Sequence, residues 1–339
     1  MASTVTELPD IEQNPDTDPV SLPGSIRAQS WAEFIGQEDV KASLSIAIKA
    51  ARGRQDSLEH ILFYGPPGMG KTTLAMLVAK ELGVGIKVTS GPALERAGDL
   101  ASILSSLQTG DILFIDEIHR LNRMIEETLY PAMEDFALDL ILGKGPSAQT
   151  LRMTLNPFIL IGATTKIGSI SPPLRDRFGH IHRLNYYRDS DLTQIIKNAA
   201  EKLDISISHT AAASLASRSR KTARIALKLL RRARDFAQVQ GEKHIDDKVI
   251  SQALDLLSID QYGLDDLDRR LLQAIIEKHG GGPVGLDTIA VILGEDKDTI
   301  QDVCEPFLLR LGFLKRTPRG RVATPRAYQH LKLSLDQKV

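Results

Sequence analysis

Short, wholly apolar runs recur through the first half of the chain: Ile61-Leu62-Phe63-Tyr64, Ile112-Leu113-Phe114-Ile115 and Phe158-Ile159-Leu160-Ile161, with Ile86-Lys87-Val88-Thr89-Ser90 after the first. The wholly apolar runs are too short for globular helices and lack the alternation of half-wet strands, so they are predicted to be buried parallel strands. Between the runs, apolar positions repeat at helical spacing. Val40, Leu44, Ile48 and Ala51 share one face, Leu74 to Lys80 continue a second helix, and Asp99 to Gln108 a third. Strands alternating with helices predict an α/β fold with a parallel sheet and a ligand at the carboxyl ends of its strands. One stretch breaks the rhythm. Ala137 to Leu142 and Thr150 to Leu155 flank Gly143-Lys144-Gly145 and predict a β-hairpin, whose apolar side chains either pack as core or dock a partner.

From Ser190 the pattern is helical throughout. Leu192–Leu203, Thr210–Arg218, Thr222–Gln240 and Asp246–Leu257 predict a small all-helical domain. Leu264–His279, Leu286–Leu293 and Lys297–Leu311 predict three more helices, followed by a turn-containing ribbon from Phe313 to Thr324. Three helices and a ribbon have the order of a winged-helix module. The divisions expected are a disordered tail over 1–24, carrying Pro9, Pro15, Pro19 and Pro23, a large α/β domain over 25–187, a helical lid over 188–260 and a winged helix over 261–335.

At 339 residues the chain can bury two or three cores, and 42% hydrophobic with 25% charged residues is ordinary globular composition. No apolar stretch approaches the roughly 20 residues that span a bilayer, and the N-terminus has no basic region followed by an apolar core. The lone Cys304 cannot form an internal disulfide and reads as a small apolar filler on a helix. The expectation is a cytoplasmic protein without a membrane partner. A net charge of −1 leaves nucleic-acid binding to local patches.

The chemistry is concentrated in Gly65-Pro66-Pro67-Gly68-Met69-Gly70-Lys71-Thr72-Thr73, which follows a strand and opens a helix. That is the context of a phosphate-binding P-loop. Gly68 and Gly70 let backbone N–H groups surround a polyphosphate, and the helix N-terminus adds partial positive charge. Lys71 can reach the β- and γ-phosphate oxygens of a nucleoside triphosphate, and the Thr72 hydroxyl can ligate Mg²⁺. Asp116 and Glu117 end a buried strand 45 residues after Lys71. The first can hold the Mg²⁺ shell and the second can orient and deprotonate water. Charge developing on the γ-phosphate also needs a cation, for which Arg177 and Arg224 are candidates. From Arg310 to Arg326 inclusive there are six Lys or Arg residues and no acid. The helix from Lys297 carries Asp298, Asp302 and Glu305, so the ribbon, with Lys297 at the helix tip, is the better DNA element.

Gly65 to Ala75, Phe114-Ile115-Asp116-Glu117-Ile118-His119-Arg120-Leu121, Leu129 to Phe136, Pro173-Leu174-Arg175-Asp176-Arg177-Phe178-Gly179, Gly282 to Leu286 and Arg316-Thr317-Pro318-Arg319-Gly320-Arg321 together resemble the RuvB family, the hexameric AAA+ motors of bacterial Holliday-junction branch migration. The resemblance runs from about Ser25 to about Leu331. It implies an adenine pocket at Ile26 and Arg27, phosphate and Mg²⁺ ligands at Gly68, Lys71, Thr72 and Thr73, and nucleotide contacts at Glu134, Asp135, Phe136 and Tyr187. It further implies a first sensor at Thr164 or Thr165, a finger at Arg177 offered to the adjacent subunit, a second sensor at Arg224, and DNA-backbone contacts at Arg316 and Arg321. The implied cofactors are ATP/ADP and Mg²⁺. The implied partners are a homo-hexameric ring, duplex DNA of four-way junctions without sequence preference, a RuvA-like protein on the 137–155 hairpin and a RuvC-like resolvase.

Three departures accompany the resemblance. Lys221 and Ala223 stand where Gly and Pro are usual before the second sensor, so the start of that helix is expected to differ in shape. Lys166 replaces an arginine, and the N-terminal tail is extra. Two rival readings remain in view: a clamp-loader-like ATPase, which would lack the wing arginines and the apolar hairpin, and a scaffold that binds ATP without hydrolysing it, against which Asp116, Glu117 and Arg177 argue.

Overall fold

The apolar runs become the centre of a five-stranded parallel sheet in a computed structural model that describes residues 26–54, 56–142 and 149–333. The tail expected over 1–24 and the turn at Gly143-Lys144-Gly145 lie outside these residues. In chain order the large α/β unit comprises α1 (Glu38–Arg54), β1 (Ile61–Tyr64), α2 (Lys71–Leu82), β2 (Ile86–Ser90), α3 (Ala97–Ser105), β3 (Ile112–Asp116), α4 (Arg123–Glu134), the hairpin strands β4 (Ala137–Leu142) and β5 (Gln149–Thr154), β6 (Ile159–Thr164), the short α5 (Pro172–Arg175) and β7 (His180–Arg183). Strand order is β2-β3-β6-β1-β7. Register places Tyr64 beside Thr164 and Ser90 beside Asp116, so the chemically active strand ends share one edge of the sheet.

Two elements carry weak periodic signals. Helix α4 contains Pro131, which interrupts a helical reading, yet Asn122 caps it by accepting from the Ile125 N–H at 3.0 Å. Strand β7 is an edge strand, and its His-Ile-His-Arg sequence has no apolar run to mark it. The hairpin resolves into two parts. Ala137 and Leu138 are buried in the core beneath α4, whereas Leu151 on the returning strand is half exposed.

The helical unit contains α6 (Asp189–Lys202), β8 (Ser206–Ile207), α7 (His209–Ser217), α8 (Ala223–Gln240), β9 (His244–Ile245) and α9 (Asp247–Leu256). Its apolar faces join those of α1, α2 and one side of the sheet in a continuous cluster, so it packs onto the nucleotide-facing layer rather than standing apart. A separate core underlies α10 (Asp266–His279), α11 (Leu286–Leu293), α12 (Lys297–Thr299), α13 (Glu305–Leu311), the ribbon strands β10 (Leu314–Thr317) and β11 (Gly320–Ala323), and α14 (Pro325–Leu331). The single helix expected over Lys297–Leu311 is corrected: a π-helical turn, Ile300–Cys304, separates α12 from α13. Pro306 lacks the N–H that would continue an α-helical ladder there. Among the described residues no helix is long and apolar enough to cross a membrane.

Candidate active site

A cavity of about 660 Å³ lies over the carboxyl end of the sheet, roofed by α6 and α8. Gly68, Lys71, Thr72, Thr73, Asp116 and Glu117 form its floor. Ile26, Arg27, Tyr187 and Arg224 close its sides, and Gly70 also lines it. Sequence-distant residues thus meet where strand, loop and lid converge.

The loop conformation is local chemistry. Gly68 and Gly70 have φ of 78° and 94°, left-handed values that side chains resist. A Cβ at Gly68 would lie 2.8 Å from the Arg224 Cβ, so the loop and the lid helix touch at a point where only hydrogen fits. The Tyr187 hydroxyl donates to the Met69 carbonyl at 2.9 Å, pinning the loop to the start of the lid. Burial pushes that phenol's pKa up, so it stays a donor.

Lys71 is only 7% exposed, and its ammonium donates to the Gly65 and Pro66 carbonyls at 2.9 and 3.0 Å. Burial lowers its pKa, while Glu117 and Asp116 oppose that shift. Burial raises the carboxyl of Asp116, with the neighbouring Glu117 charge adding to it. Glu117 itself has φ of 47°, an uncommon backbone for a non-glycine residue and one concentrated at functional sites. Its Oε2 accepts from the Thr165 N–H at 3.3 Å and the Thr165 hydroxyl at 3.2 Å. Thr164 is fully buried; its hydroxyl lies 3.0 Å from His119 and accepts from the Lys166 N–H at 3.0 Å. Of the two threonines, Thr165 is therefore the one that faces the acidic pair. The carboxylate of Asp116 and the hydroxyl of Thr72 are hard oxygen donors on one cavity, a set that fits Mg²⁺ completed by phosphate and water oxygens.

The lid's departures have a visible consequence. Arg220 and Lys221 have consecutive positive φ values of 53° and 61°, the second at a position where glycine would adopt the same backbone without strain. Thr222 then caps α8 by accepting from the Ile225 N–H, and Arg224 reaches the cavity from the first turn.

Glu134, Asp135 and Phe136, for which nucleotide contacts are expected, and Arg177 do not line this cavity. They gather elsewhere. The Arg177 guanidinium donates to the Pro173 carbonyl at 2.6 Å, pairs with Glu134 at 3.1 Å and lies 4.3 Å over the Tyr130 ring. Asp135 pairs with Arg152 of the hairpin, and Phe136 packs edge-on against Phe158.

In the ribbon, Lys315, Arg316 and Arg319 are exposed. Arg321, for which a DNA contact is expected, is not. It is 8% exposed and grips the 2%-exposed Glu305 with two nitrogens. Glu305 is correspondingly buried rather than part of an acidic helix surface. Lys297 is exposed and paired with Asp287. Sequence reasoning passed over His119, although it lies within the motif that holds the acidic pair, and Phe34, whose ring sits against Gly70.

Three family descriptions match in succession: the Holliday junction DNA helicase RuvB P-loop domain over residues 26–184, the RuvB AAA lid domain over 187–260 and the RuvB C-terminal winged helix domain over 261–332. The Holliday junction branch migration complex subunit RuvB of Chloroflexus aurantiacus is 56% identical over 328 residues, covering 97% of this chain and 94% of that protein. The corresponding subunit of Chloroflexus aggregans is equally similar. The solved Thermotoga maritima RuvB Holliday junction branch migration motor superposes with a TM-score of 0.81 at 49% identity, covering 91% of this chain and 99% of that one.

Proposed function

The chain belongs to the RuvB family of Holliday-junction branch-migration motors, and on that premise we propose how its residues divide the work. It is a P-loop AAA+ ATPase that drives branch migration as a subunit of a branch-migration complex. ATP lies in the 660 Å³ cavity with its base near Ile26 and Arg27 and its phosphates over Gly68 to Thr73. Lys71 transfers its ammonium from loop carbonyls to phosphate oxygens. Thr72 and Asp116 would hold Mg²⁺, which when bound would neutralise phosphate charge. Glu117 orients and deprotonates the attacking water, with Thr165 as the first sensor beside it. Arg224 follows the γ-phosphate from the lid.

The observation that carries the coupling is the contact of Gly68 with Arg224. Phosphate chemistry and lid position share one surface, so losing the γ-phosphate changes what holds α8 against the loop. The lid in turn grips the winged helix: Arg220 pairs with Asp265 and with fully buried Asp268, both at 2.7 Å. Lid motion thereby reaches exposed Arg316 and the neighbouring cations, which contact DNA phosphates without reading bases.

The displacement of Arg177 from its own cavity supports a closed ring, a homo-hexamer, in which each Arg177 completes the adjacent subunit's site. The 137–155 hairpin, rooted in core and exposed at Leu151, is the docking element for a RuvA-like junction-binding partner, with a RuvC-like resolvase in the larger assembly and a cytoplasmic location. The test is migration of a synthetic four-way junction by the full chain with ATP, Mg²⁺ and a RuvA-like protein. Products should form with wild type and not with Lys71→Ala; migration by Lys71→Ala at the wild-type rate would defeat the coupling.

A further inference from the structure

The Glu117 carboxylate is held by more than Thr165. The imidazole of His119, in the turn that follows β3, places Nδ1 3.1 Å from Glu117 Oε2 and 3.0 Å from Thr164 Oγ1. An ionised carboxylate only accepts, and the Thr164 oxygen already accepts the Lys166 N–H. The Nδ1–H tautomer is the one compatible with a carboxylate oxygen 3.1 Å from that nitrogen, and its hydrogen-bond partner is Thr164 Oγ1. Two hydrogen bonds, both from Thr165, converge on Oε2, His119 Nδ1 lies 3.1 Å from the same oxygen, and Oε1 stands outside that set. The ring is well packed, its side chain 11% exposed, so it can fix a neighbour.

We infer that His119 is a positioning residue for Glu117, an inference resting on Glu117 acting as the base proposed above. A glutamate has three rotatable side-chain bonds, and misplacing a reacting group by about 1 Å can cost on the order of 100-fold in rate. The left-handed backbone at Glu117 sets where its side chain leaves the chain. The donors of Thr165 approach from the end of β6, and His119 approaches from the carboxylate's own turn. Two separate elements thus hold one oxygen, which selects a single orientation of the carboxylate and directs its other oxygen toward water.

The experiment measures steady-state ATP hydrolysis by the full chain with duplex DNA for Glu117→Gln, His119→Ala, His119→Asn and His119→Gln. An asparagine amide N–H falls where Nδ1–H lies, whereas a glutamine amide reaches toward the Nε2 position. His119→Ala should lower kcat about tenfold, the effect of one lost polar contact to the carboxylate, with KM for ATP unchanged. His119→Asn should restore most of kcat, and His119→Gln should not. Full turnover by Glu117→Gln would remove the base and this inference together. An inactive Glu117→Gln beside a His119→Ala that hydrolyses at or above the wild-type rate would overturn the positioning role alone. Equal losses of kcat in the Asn and Gln variants, or a loss of ATP affinity in His119→Ala, would reduce His119 to packing.

Discussion

Removing the Arg321 side chain separates two roles that a basic ribbon could give it. Arg321 Nε lies 2.5 Å from Glu305 Oε1 and Nη2 lies 3.2 Å from Oε2, with the two residues 8% and 2% exposed. Arg321→Ala leaves the Glu305 carboxylate buried without its cation. Breaking one side of such a pair costs about 3–5 kcal/mol, whereas replacing both partners by apolar residues of similar volume is often neutral. The α13 amides should then exchange with deuterium roughly 10²- to 10⁴-fold faster, at 1.36 kcal/mol per tenfold, if exchange follows opening of the winged helix. Arg321→Met with Glu305→Leu should recover most of that protection. Arg316→Ala should leave exchange unchanged and reduce the dependence of log K for DNA on log salt by about 0.9 per lost phosphate contact. Wild-type exchange in Arg321→Ala, with a reduced salt slope, would show that Arg321 faces phosphate and refute the buried-pair argument.

Arg177→Ala should abolish ATP turnover while leaving ATP affinity near wild type, because Arg177 does not line its own cavity; an equal loss of affinity in isolated subunits would contradict this. Gly68→Ala should weaken ATP binding about tenfold or more, since the new Cβ meets Arg224 at 2.8 Å and the backbone is left-handed at φ 78°; calorimetric titration at wild-type affinity would count against the loop–lid contact. His60 predicts an acid sensitivity. Burial lowers its pKa below 6.5, and its ring accepts from the Leu160 N–H at 2.9 Å while lying 3.1 Å from the Met133 carbonyl. The unfolded chain then binds more protons than the folded one between the folded value and 6.5, so stability rises with pH there. The contribution is present above about 6.5 and is lost as pH falls; His60→Gln should show a shallower loss of Tm from pH 7.5 to 5.5, and an identical slope would refute it.

Strand ends and loops were legible because their signals are contiguous. Ile61–Tyr64, Lys71 and the Asp116-Glu117 pair need only neighbouring residues to declare a buried strand, a phosphate loop and its acidic partner. The winged helix was readable in outline from three apolar periods and a basic ribbon. Pro131 hid α4, and polar β7 carried no period to find. The family resemblance supplied roles for Arg177 and Arg224 that their own surroundings in the chain do not distinguish from those of surface arginines.

The amino-acid sequence by itself determined that Gly65 to Thr73 binds phosphate, that a parallel sheet supports it, and that a helical lid and a winged helix follow. Only tertiary structure decided which charges are spent and which are offered. Glu305 and Arg321 are 16 residues apart and cancel inside the winged helix, while Arg316, their neighbour, stays in water. Thr164 and Thr165 are adjacent and chemically alike, yet strand alternation buries one against His119 and turns the other to Glu117. Burial and hydrogen bonding depend on what the fold brings alongside, and for each of these residues that partner comes from elsewhere in the chain.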